Sequence, residues 1–142
     1  MRTISLAQLF VVVAFALLID RAMKYVALEY SYDNKLYSLF VNSYGVFSIP
    51  VSNGWMMVVS GIIILSLIIT SAIFFIRNKK VSIAMAVLII GALSNFYDRV
   101  AYGGVIDFLR IGHASVINLS DVYIITALIV MILGVDRYYV LR

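Results

Sequence analysis

The sequence predicts an all-α integral membrane protein, with four transmembrane helices and a small extramembrane β platform between spans 1 and 2. Two observations carry that prediction. Of the 142 residues, 64% are hydrophobic and the mean hydropathy is +1.07, whereas soluble domains hold about 45–50% apolar residues. A chain this short has too little interior to hide such a surplus from water. The second observation is arrangement: the 13% of charged residues gather at the ends of long apolar runs, where a membrane boundary would place them.

Span 1 is expected over approximately residues 4–26. Its apolar core runs from Leu6 to Ile19, short of the ~20 residues a spanning helix needs, and Ile4 and the amphipathic residues up to Val26 make up the length. Arg2 followed by an apolar run looks like a secretory leader. Asp20, Arg21 and Ala22 then follow where a small-x-small cleavage site would stand, so the run is read as a retained span. Asp20 and Lys24 lie four apart on one helical face. They form either a local ion pair worth a few tenths of a kcal/mol (roughly 0.2–0.5) or a polar site at the membrane boundary.

Residues 29–52 are too polar and interrupted to span. Leu36 to Val41 alternates weakly and carries aromatic and β-branched residues, which suggests a short strand or hairpin. Tyr30, Tyr32, Tyr37 and Tyr44 are rings of the kind that settle at the headgroup level. This segment is read as an interfacial, periplasmic platform. Pro50, Ser52, Asn53 and Gly54 mark the start of the next helix.

Span 2 (about 55–76) is free of charge and ends at Arg77-Asn78-Lys79-Lys80. Span 3 (about 81–97) weakens at its far end, where Gly91, Ser94 and Asn95 enter. Span 4 (about 119–137) closes at Asp136-Arg137. An even number of spans puts both termini on one side. The basic turn at 77–80 favours the cytoplasm for that side, which leaves the aspartate-rich stretch outside. No repeat or linker divides the chain, so residues 1–142 are expected to form a single domain.

Composition removes several function classes. Without cysteine there is no disulfide, thiolate nucleophile or cysteine-ligated metal. The single histidine, His113, cannot build a multi-imidazole metal site, and no nucleophile elbow accompanies it. GALSN and AYGG lack the lysine and spacing of a phosphate loop. The +4 net charge is spread along the chain, not gathered into the basic face that nucleic acid requires.

Carboxylates remain, concentrated between Gly91 and Tyr123. Asp107 follows a Gly103-Gly104 turn inside the phrase Val105-Ile106-Asp107-Phe108-Leu109, and Asp121 stands at the mouth of span 4, three residues after Asn118. Two carboxylates close together in a poorly solvated site share a proton. They then supply an acid and a base together, which hydrolysis of a peptide bond by water requires. Plainer readings stand beside this one. Asp121 could serve the helix macrodipole with Ser120 or Asn118 as cap, Asp98-Arg99 could be a boundary ion pair, and Asn95 and Asn118 could bond across helices.

Taken as a set, these motifs resemble lipoprotein signal peptidase, the signal peptidase II family. Asn95-Phe96-Tyr97-Asp98-Arg99, Gly103-Gly104-Val105-Ile106-Asp107-Phe108 and Asn118-Leu119-Ser120-Asp121 look like that family's G-x-x-x-N-x-x-D-R, V-[VI]-D-F and F-N-x-A-D elements. Asp20 and Lys24 match its D-x-x-[ST]-K element. This chain has Ser120 where the family usually has Ala, and Ile117 where it has Phe. Its N-x-G-x-[AV]-F element is altered: either Asn42 aligns and Tyr44 takes the glycine position, with Gly45 one place later, or a one-residue gap aligns Gly45 at the expense of Asn42.

The resemblance implies an intramembrane aspartyl endopeptidase of the bacterial inner membrane. Such an enzyme removes signal peptides from diacylglyceryl-modified prolipoproteins just before the lipidated cysteine, with its active site near the periplasmic face. Asp107 and Asp121 would be the catalytic pair. Asn95, Arg99 and Asn118 would orient the pair and the substrate backbone, Asp98 would have a supporting role, and Asp20 and Lys24 would belong to the outer edge of the pocket. Asn42 and Gly45 would lie in the substrate loop of the platform. No metal or organic cofactor is implied, and the expected partners are the prolipoprotein and membrane lipid, with the enzyme a monomer. The alternative is a non-catalytic homologue that binds lipidated or signal peptides in the same groove.

Overall fold

A computed structural model of the chain describes residues 5–30, 36–43, 51–74, 79–112 and 115–139. It is mostly helical: α1 (Leu6–Glu29), α2 (Asn53–Phe74), α3 (Lys79–Tyr102) and α4 (Leu119–Tyr139). A small antiparallel sheet, ordered β1-β2-β3, accompanies them, with β1 at Tyr37–Asn42, β2 at Val105–Ile111 and β3 at Ser115–Ile117.

The sheet corrects the expected platform. One strand does come from the α1–α2 connection, where the alternation of residues 36–41 places it. The other two come from the α3–α4 connection, so the sheet joins both. Register runs Phe40↔Asp107, Val41↔Ile106 and Asn42↔Val105, with an irregularity between Tyr37 and Phe40. Tyr32, Tyr44, Gly45, Pro50 and His113, and the turn at Arg77 and Asn78, lie outside the described residues.

α3 is the centre of the bundle and packs against α1, α2 and, most extensively, α4. Its inward stripe includes Ala84, Leu88, Gly91, Ser94 and Asp98, three or four residues apart as one helical face requires. Gly91 is needed there, because a Cβ would sit 2.8 Å from the Ser120 carbonyl oxygen and 3.0 Å from Ile124 Cγ1. The polar residues that weaken the sequence signal for span 3 are these inward positions. The helix therefore continues through them to Tyr102.

Residues 53–72 of α2 and 81–102 of α3 are long and apolar enough to cross a membrane. The apolar stretch of α2 is almost entirely unburied, and Ile62 and Leu65 are 60% and 59% exposed. An apolar face of that extent is not stable against water. Ser66 and Thr70 donate to the Ile62 and Ser66 carbonyls at 2.8 and 2.7 Å, so each hydroxyl has its partner within the helix, as lipid surroundings demand.

Candidate active site

Local sequence brings Asp107 inward. Gly103 takes φ +74°, a conformation open to glycine at no steric cost, and turns the chain from α3 into β2. Gly104 follows without a side chain because a Cβ there would meet the Asn42 carbonyl oxygen at 2.8 Å. β1 can then pair closely with β2. Val105, Ile106, Asp107 and Phe108 are all buried, Ile106 and Phe108 against Ala27 and its neighbours on α1. Asp107 is 3% exposed, a carboxyl group in the apolar run Val105-Ile106-Asp107-Phe108-Leu109 of β2.

Asp121 arrives from the other side. Asn118 caps α4: its Oδ1 accepts the Asp121 backbone N–H at 2.9 Å, and Asp121 Oδ2 accepts the Asn118 N–H at 3.2 Å. This is a reciprocal capping box. The same asparagine's Nδ2 donates to Asp107 Oδ1 at 2.7 Å. The plain reading and the functional one therefore meet in one residue, which caps the helix and joins the two aspartates.

The outer oxygens are held by two more amides. Asn42 Nδ2 donates to Asp107 Oδ2 at 3.3 Å, and Asn95 Nδ2 donates to Asp121 Oδ1 at 2.8 Å. Burial above all, and then repulsion from Asp121, raise the Asp107 pKa to about 7, against the pull of the Asn118 and Asn42 hydrogen bonds and the Lys24 charge. Two carboxylates fixed by neutral amides, one still able to hold a proton near neutrality, can act as acid and base.

Behind the pair lies an ionic cluster. Lys24 Nζ reaches Asp98 Oδ2 at 2.7 Å and Asp20 Oδ2 at 3.3 Å, and Arg21 reaches Asp98 Oδ1 at 2.5 Å. Asp20 also accepts from Ser94 Oγ at 2.5 Å and from the Ser120 backbone N–H at 2.9 Å. Asp98 accepts the Ile106 N–H at 3.3 Å. Asp20 and Asp98 are 0% exposed and Lys24 is 1% exposed, so these residues sit within the bundle rather than at the rim of a pocket. Lys24 Nζ also donates to Asn95 Oδ1 at 2.9 Å, which links the cluster to Asp121.

Arg99 is 8% exposed and lies in the field of Asp107, Asp121 and Asp98. Asp98 finds its cations on α1, so the adjacent Asp98-Arg99 pair is not its principal partnership. Of the residues singled out from sequence, Asp107, Asp121, Asn118, Asn95 and Asn42 converge through direct hydrogen bonds. Asp20, Lys24 and Asp98 form the cluster behind them, and Gly45 lies outside the described residues. Sequence reasoning missed Arg21, Ser94 and Asn53 as site components. The Gly91, Ser94, Asp98 spacing was the available signal for Ser94, since it sets a small or polar residue at each turn of one face.

The sequence profile of signal peptidase (SPase) II matches residues 12–136. The chain belongs to the signal peptidase II family. Curated relatives named lipoprotein signal peptidase are similar over parts of it. That of Buchnera aphidicola subsp. Schizaphis graminum is 32% identical over 88 residues, 56% of each chain. That of Wigglesworthia glossinidia brevipalpis is 33% identical over 79 residues, 50% of this chain and 52% of the relative. A third, from Pseudoalteromonas translucida, is 42% identical over 48 residues, 31% and 29%. The matches thus span from 29% to 56% of those relatives' lengths. The fold of this signal peptidase II family member is similar to a bacterial membrane enzyme solved in meso at 2.3 Å, with TM-score 0.78 and 22% identity over 96% of this chain and 92% of that one. A second such structure, at 1.9 Å, has TM-score 0.76 and 22% identity over 94% and 96%.

Proposed function

We propose that the chain is an aspartic endopeptidase that removes signal peptides from diacylglyceryl-modified prolipoproteins just before the lipidated cysteine. One observation carries the reading: Asp107 on β2 and Asp121 in the first turn of α4 are joined through Asn118, and each outer oxygen is held by a further amide. The family and its curated relatives support the substrate class.

In the proposed reaction Asp107 holds the proton and Asp121 carries the charge. Asp107 lies on a buried strand with its pKa raised to about 7, while Asp121 lies at the positive end of the α4 dipole. Asp121 takes a proton from water as that water's oxygen bonds to the scissile carbonyl carbon. Asp107 hydrogen-bonds the developing oxyanion. As the C–N bond breaks, the departing amine receives a proton from the pair. Arg99 keeps positive charge beside the carboxylates and, with Asn95 and Asn118, orients them.

The four helices are proposed as four spans of a single domain in the bacterial inner membrane, with both termini cytoplasmic and the sheet and aspartates at the periplasmic face. The substrate's acyl chains would lie along the apolar flanks of the helices. Purified protein and a diacylglyceryl prolipoprotein in detergent test the function. Cleavage before the cysteine by wild type, absent in folded Asp107→Asn and Asp121→Asn, is the expected result. Binding without cleavage by all three would favour the non-catalytic homologue, and cleavage surviving in either variant would reject the pair.

A further inference from the structure

Asn53 opens α2 and marks only a helix start in the sequence, yet it makes two complementary bonds to one residue of α3. Its Nδ2 donates to the Arg99 backbone carbonyl at 3.0 Å, and its Oδ1 accepts from the Arg99 guanidinium at 3.3 Å. α3 ends at Tyr102. The Arg99 carbonyl is thus the first of the last four, which have no partner within a helix. Holding backbone and side chain of the same arginine fixes both the origin and the direction of the guanidinium. An amide can do this because it carries a donor and an acceptor on adjacent atoms. A carboxylate lacks the donor.

We propose that Asn53 is a positioning residue that aims Arg99 at the aspartate pair, making the α2 N-terminus part of the catalytic apparatus. The role rests on the endopeptidase reading above, because Arg99 matters through Asp107, Asp121 and the substrate they attack. Arg99 lies in the field of both carboxylates, and an arginine side chain has several rotatable bonds that its neighbours must fix. Misplacing such a group alters the transition state more than substrate binding, so the loss falls on kcat and not on KM.

The test is a double-mutant cycle on the full chain in detergent, with Asn53→Leu, Arg99→Lys and the double variant. Lysine keeps the charge and the backbone carbonyl but not the fixed fork of guanidinium donors that Asn53 would aim. Asn53→Leu is expected to lower kcat by roughly tenfold to a hundredfold with KM nearly unchanged. In the Arg99→Lys background the same change should have little further effect. Additive losses, or a loss confined to KM or thermal stability, would overturn the proposal by showing that Asn53 serves the helix end alone. A second measurement stands apart from activity: ¹⁵N NMR of the Arg99 guanidinium. Restricted Nη groups in wild type that become mobile in Asn53→Leu are expected, and unchanged spectra would overturn the grip. If wild type cleaves no prolipoprotein, the endopeptidase reading falls, while the spectra still decide whether Asn53 aims Arg99.

Discussion

Two pairs of aspartates, Asp20 with Asp98 and the buried Asp107 with the half-buried Asp121, are treated in opposite ways. Asp20 and Asp98 are met by cations, Lys24 and Arg21, at 2.5–3.8 Å. Asp107 and Asp121 are met by the neutral amides of Asn42, Asn95 and Asn118. A cation beside a carboxylate holds it ionised, which suits a fastening between α1, α3 and β2. An amide fixes direction while favouring the ionised form less than a full charge does, and at Asp107 burial outweighs that pull, which suits proton transfer. Asn95 touches both groups through Lys24 and Asp121, so the fixed cluster sets the frame for the adaptable pair.

The largest expected effect comes from breaking the fastening. Lys24→Met leaves two buried carboxylates one cation short and should cost about 3–5 kcal/mol of stability, read by thermal unfolding in detergent. A cost below about 1 kcal/mol, the range of an exposed pair, would mean that the cluster is not a fastening. Gly91→Ala tests the packing that sets α3 against α4. Its Cβ would press on the Ser120 carbonyl, for a loss of about 1–3 kcal/mol, and an unchanged melting temperature would show that the helices can separate freely. Asn118→Ala removes a cap and should cost about 0.5–2 kcal/mol. Cleavage should fall much further than that stability loss explains, since the same side chain joins the aspartates. Proportionate losses would make Asn118 a cap and nothing more.

The smallest expected effect has the opposite sign. Ser120 Oγ is buried without a hydrogen-bond partner among the described residues. Ser120→Ala should leave stability unchanged or raise it by about 1 kcal/mol, since an unpaired buried hydroxyl is a cost. A clear loss of stability would mean that the hydroxyl has a partner.

Asn118 and Asp121 were legible together because their spacing is local, one capping box apart. Asn95 and Asn42, 26 and 65 residues from the aspartates they hold, were assigned to the site only through the resemblance to the family's motifs. The strand that carries Asp107 was not legible. Val105 to Phe108 are buried at every position, so they show no alternation from which a strand could be read. β2 finds its partner β1 some 65 residues away, the separation of Asn42 and Asp107. The grip of Asn53 on Arg99 is also long-range, 46 residues apart. Asp20 and Lys24 could be placed on one face by spacing, but their complete burial depends on α3 and α4.

The central claim, that the amide-held pair works by Asp107 keeping a proton, has a direct measurement. In the folded protein Asp107 has a pKa of about 7, above its ordinary value of 3.8. The proton-bound form is therefore favoured by folding. That contribution is complete below about pH 4 and is lost as pH rises through about 7. Infrared difference spectra of the carboxyl C=O band should be followed from pH 5 to 9 beside prolipoprotein cleavage, in wild type and Asp107→Asn. The account predicts a band that disappears as pH rises through about 7, is missing from Asp107→Asn, and falls together with the cleavage rate. A band that persists in Asp107→Asn, or cleavage that stays constant while the band is lost, would contradict it.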